Sequence, residues 1–178
     1  MCSAMNWFMV KADSYWFPSA EKKYQDGVKE LKKYKKRLAE GQADFYTRTD
    51  NLIPLIRSFA DLLGSCDENL VKQKEKNGEP VSTFAADNYF YYAQGVASAM
   101  MPILEAVGQD FHETLLTRNG TETLHHAIHA CHIASSLDPL IVFESDLDGI
   151  FANHRANLAA HISHARFYLD VLATTLST

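Results

Sequence analysis

Apolar residues recur every three or four positions along five separate segments of this chain. That recurrence restricts it to packed helices. In 43–63 the spaced set is Phe45, Thr49, Leu52, Ile56, Phe59 and Leu63, a bundle seam that contains Pro54. In 150–176 Phe151, Leu158, Ile162, Ala165, Leu169, Leu172 and Leu176 keep a similar period, interrupted by Arg155. In 19–40 the stripe is Tyr24, Val28, Leu31 and Leu38, with Ser19 placed to cap its start and Gly41 to stop it. In 121–136 it is Leu124, Ile128 and Cys131, with Thr121 as the expected cap. The segment 82–107 is apolar almost all round, which predicts the central helix, and a short helix over 109–117 follows it. Its tyrosines, Tyr89, Tyr91 and Tyr92, are expected in the core with hydroxyls at the surface, and Gly95 and Ala99 are spaced to let another helix approach. The fold class is therefore all-α, a five- to six-helix, mainly antiparallel bundle.

A chain of 178 residues, 47% of them apolar, is large enough for one domain with a substantial core. The expected organisation is an aromatic arm over 1–17, carrying Trp7, Phe8, Trp16 and Phe17, followed by a single helical domain over 18–178. The charged run KQKEKNGEP over 72–80 reads as the most mobile loop. The net charge of −5 argues against nucleic acid as a partner. Residues 18–40 nevertheless hold eight Lys/Arg against four Asp/Glu, so a basic first helix precedes an acidic remainder. Such a helix suits anionic lipid or an acidic partner surface. The cysteines, Cys2, Cys66 and Cys131, form no disulfide framework or zinc spacing, and buried free thiols are expected at 66 and 131. No stretch reaches the ~18–20 apolar residues that a membrane span needs.

Histidines carry the most chemistry. His125, His129 and His132 share one helical face, and His161 and His164 lie on another, so a divalent metal between these two helices is one expectation. The donor set is thin, because Glu122 three residues before His125 gives one Glu-x-x-His motif and no second copy follows. Arg155 in the seam, flanked by Asn153, His154 and Asn157, points to a buried polar cluster that needs a carboxylate. Asp87, beside Asn88, is the first expected partner and Asp50 the second. Asp146-Leu-Asp148-Gly149 matches the middle of a calcium loop but lacks the closing Glu, and Asp148 reads more simply as the cap of the last helix. No nucleophile elbow, phosphate loop or dinucleotide fingerprint is present, so no catalytic residue is assigned.

The stretches WFPSAEKKYQDGVKELKKYKKRLAEG, DFYTRTDNL, ADNYFYYAQGVASAM and DPLIVFESDLDGIFANHRANLAAHISHAR together cover most of residues 16–166. They resemble a bacterial family classed as a domain of unknown function, whose members look like inner-membrane-anchored proteins of Gram-negative cells with a helical periplasmic part. The last stretch carries the likeness best, through Asp138, Pro139, Asp148, Gly149, Asn153, His154, Arg155 and Asn157. The resemblance implies an envelope location, on the periplasmic side of the inner membrane, and supplies no activity. The histidines at 125, 129, 132, 161 and 164 fall outside its pattern. The expected function is a non-enzymatic envelope domain that binds a protein partner or itself. The alternative is a metal- or small-ligand-binding bundle.

Overall fold

The computed structural model describes residues 20–139, residue 142 and residues 153–178. The aromatic arm, the Ser19 cap, Phe151 and the Asp146–Gly149 loop lie outside them, as does the run Leu140–Phe143 apart from Val142. Six helices are present among the described residues: α1 Ala20–Ala39, α2 Thr49–Val71, α3 Thr83–Asp110, α4 His112–Thr117, α5 Thr121–Ser136 and α6 His154–Ser177. No strand occurs among them, and the all-α expectation holds. The chain divides into two compact units, Met1–Tyr46 and Thr47–Thr178.

In the first unit, α1 ends where Gly41 was expected to end it. Gly41 has φ +68°, the amide of Gln42 donates to Arg37 O at 2.8 Å, and the amide of Gly41 donates to Leu38 O at 3.2 Å. This is the Schellman closure, which satisfies two terminal carbonyls through a left-handed residue.

The second unit is a four-helix ring. Side-chain pairs fix the directions. Arg155 at the start of α6 meets the end of α2, and Ser163 meets Asp67. Gln94 of α3 meets the end of α5, while a Cβ on Gly120, at the start of α5, would touch Leu172, late in α6. Helices α2, α3, α5 and α6 therefore run up-down-up-down. The seam positions fill the interior: Leu52, Ile56, Leu63, Leu158, Ile162, Leu169 and Leu172 are all 0% exposed. Ala93 and Ala97 of α3 and Ala127 and Ala134 of α5 are fully buried as well, and such small residues allow close helix approach.

Several local expectations are corrected. Phe45 lies before α2 and is exposed, because the helix starts at Thr49. Gly95 and Ala99 face outward, a Cβ on Gly95 meeting nothing within 4 Å. Tyr91 and Tyr92 are exposed rather than core. The N-cap of α5 is Gly120, not Thr121, and that of α6 is Asn153, whose Oδ1 accepts from Ala156 N at 2.9 Å.

Candidate functional site

Arg155 is the one charged side chain buried among the described residues, at 2% exposure. Asn153 caps α6, which sets the first turn of the helix and aims Arg155 inward at the C-terminal end of α2. There its Nη2 donates to Asn69 O at 2.8 Å and to Lys72 O at 2.6 Å. The last carbonyls of a helix lack intrahelical donors and sit at the negative end of its dipole, so a guanidinium is well matched to them. Neither candidate for its carboxylate partner, Asp87 or Asp50, is hydrogen-bonded to Arg155 among the described residues. Asp50 pairs with Arg48, and among the described residues Asp87 makes no ion pair or side-chain hydrogen bond. Asn88 and Asn157 are exposed, and His154 is half-buried.

Among the described residues, a carboxylate that joins this region is Glu75, from the loop expected to be mobile. The loop folds into a tight hairpin instead. Gly78 N donates to Glu75 O at 2.9 Å, Glu75 N donates to Glu79 O at 2.8 Å, and Gly78 takes φ +85°. Lys74 pairs with Pro80 across it. A turn closed by a left-handed glycine is a common three-residue hairpin connection, and it brings Glu75 back over the end of α2. Glu75 accepts from Lys72 Nζ at 2.6 Å and from Tyr89 OH at 2.7 Å. The Arg155 guanidinium lies 6.0 Å from the Tyr89 ring centroid and Lys72 Nζ 5.3 Å, both within cation–π reach. Hydrogen bonds from Lys72 and Tyr89 hold the Glu75 carboxyl below its ordinary pKa, helped by the charges of Lys72 and Arg155. The bonds to Glu75 and Tyr89 raise Lys72. The Asn77-Gly78 dipeptide was the sequence signal that would have placed Glu75 here.

The histidines occupy the outside of α5 and α6. His125, His129, His132 and His164 are exposed and His161 is half-buried. Among the described residues, no three His, Cys, Asp or Glu side chains converge as a metal-holding group. His126 stacks on Tyr168 at 4.9 Å, and His164 meets the same ring edge-on at 5.5 Å. Cys66 and Cys131 are buried and free, as expected.

The outer face of α3 differs in character. Phe84 is 86% exposed, Ile103 46%, Tyr92 46% and Tyr91 41%. Asn88, Gly95, Ser98, Ala99, Pro102 and Ala106 complete the same exposed face, and none of these ten residues is charged. It extends about 34 Å along the helix. The Tyr91 hydroxyl anchors one edge by donating to Pro139 O at 3.1 Å.

Searches for likeness were negative for curated proteins and for solved structures, with no match in either. The family model described as "Uncharacterized protein conserved in bacteria (DUF2333)" matches residues 1–176, and the chain therefore belongs to that bacterial family.

Proposed function

We propose that this protein is a non-catalytic interaction domain of the bacterial cell envelope that self-associates through the outer face of α3. The observation that carries the reading is the exposed strip from Phe84 to Ala106, whose charge is confined to Glu105 at its margin. An exposed apolar strip of this length is a mark of an interaction surface. Its residue order favours a second copy over an unrelated partner. Gly95 lies at its midpoint, with Ser98 and Ala99 one turn to one side, Tyr91 and Tyr92 one turn to the other, and Phe84 and Ile103 towards the ends. Two such helices crossing antiparallel at Gly95 bring backbones close at the centre and set large side chains against small ones along both arms. With charge confined to Glu105 at its margin, the middle of the strip meets no like-charge repulsion in a two-fold arrangement. The envelope location rests on the resemblance of most of residues 16–166 to a family whose members look like inner-membrane-anchored proteins with a helical periplasmic part. No helix among the described residues is long and apolar enough to cross a membrane.

Light scattering coupled to size exclusion tests the reading. The full chain is expected to run as a dimer. Gly95→Leu is expected to give monomers with unchanged helix content, since nothing within the protomer occupies the space it would fill. Phe84→Asp is expected to do the same. A wild-type monomer at high protein concentration, or dimers that survive both substitutions, would overturn it.

A further inference from the structure

Helix α1 combines two properties that seldom coincide in a helix belonging to a packed core. Over 29–37 it carries Lys29, Lys32, Lys33, Lys35, Lys36 and Arg37 against the single acid Glu30. Its apolar stripe also stays open: Val28 is 42% exposed, Leu31 40% and Leu38 38%. Lys36 lies 3.7 Å from Glu40, and Arg37 donates to Gln42 O. Lys29, Lys32, Lys33 and Lys35 make no ion pair among the described residues. At 100° per residue, Lys32 and Lys36 flank the stripe on one side and Lys23 and Arg37 on the other. Lys35 stands within it, and its long methylene stem lets the ammonium reach the edge.

We infer that α1 is an in-plane membrane-binding helix that takes a bilayer surface rich in anionic phospholipid. Such a surface offers both things the helix needs, a fixed negative charge and an apolar layer immediately beneath it. An acidic protein face would match the lysines and leave Val28, Leu31 and Leu38 in water. The inference stands on α1 alone and is independent of the self-association reading.

Co-sedimentation of the full chain with vesicles tests it, using phosphatidylcholine alone and phosphatidylcholine mixed with phosphatidylglycerol. Binding is expected on the mixed vesicles and to fall steeply with added salt. Each cation brought to such a surface strengthens binding about fivefold, so the triple variant Lys32→Glu, Lys35→Glu, Lys36→Glu, at the edge of the stripe and within it, is expected to lose more than about a hundredfold. Leu31→Asp keeps every lysine and is expected to lose binding because the stripe no longer inserts. All four positions are exposed, and far-UV circular dichroism is expected to show the variants folded. Equal binding to both vesicle types, or a charge-reversed variant that binds like wild type, would overturn the inference. Full binding by Leu31→Asp would overturn it too, since α1 would then be a general polyanion site.

Discussion

Arg155 sits where a leucine would ordinarily continue the α6 seam, and its contacts say why an arginine is there. Helix α2 ends inside the second unit, so its last carbonyl oxygens cannot all turn to water. The guanidinium satisfies those of Asn69 and Lys72 from the neighbouring helix. Gln94 does the corresponding work for α5, donating to Leu137 O and Ser135 O. Arg155→Ala is expected to lower stability by ~3 kcal/mol or more, because buried carbonyls lose their donor and a large buried volume is vacated. Arg155→Lys keeps the charge without the planar fork and is expected to fall between wild type and Ala in urea unfolding. Asn119 and Gly120 show a comparable division of labour. Asn119 takes the left-handed position at φ +52°, and the amide of Gly120 donates to Leu115 O at 2.8 Å. The glycine is required for space, since a Cβ at 120 would lie 2.8 Å from Leu172 Cδ1.

At the scale of elements, the 72–81 hairpin is held by the Lys72–Glu75–Tyr89 cluster as well as by its own turn. The pH dependence follows from the direction of each shift. Glu75 is lowered in the folded protein, so its contribution is complete above the ordinary carboxylate pKa of about 4.3 and fades as pH falls through the lower folded value. Lys72 is raised, so its contribution is complete below about 10.4 and fades as pH climbs through the higher folded value. Thermal unfolding followed against pH should therefore show a plateau with two falling limbs. Glu75→Gln is expected to flatten the acid limb and leave the neutral-pH helix content unchanged. An acid limb as steep as that of wild type would place the titrating group elsewhere. Charge density alone misled the sequence reading of this loop. Five of the nine residues in KQKEKNGEP are ionisable, yet the chain turns sharply at Asn77-Gly78, and two of them, Lys72 and Glu75, pair with each other.

Across the whole second unit, Cys66 of α2 and Cys131 of α5 report on the integrity of the shared interior. Burial pushes the Cys66 thiol up to about 12, with the Asp67 charge adding to it, and burial pushes Cys131 up to about 11. Thiolate is the reactive form. In a Cys2→Ser variant, neither thiol is expected to react with a thiol-specific dye in native buffer, and both should react in step with urea unfolding. Rapid labelling before the transition would mean that the helices part locally. The sequence by itself determined the helices and most of the interior, because a period near three and a half is a local property. Leu52, Ile56, Leu158 and Ile162 lie fully buried where that period put them. It also identified Arg155 as the odd member of the seam. Tertiary structure decided that Arg155 reaches Asn69 O and Lys72 O, since these are backbone carbonyls, which every residue carries and no side-chain pattern marks. It decided equally which side of α3 meets water. A helix apolar all round has no period to read, and only its neighbours choose between burying Phe90 and leaving Phe84 exposed.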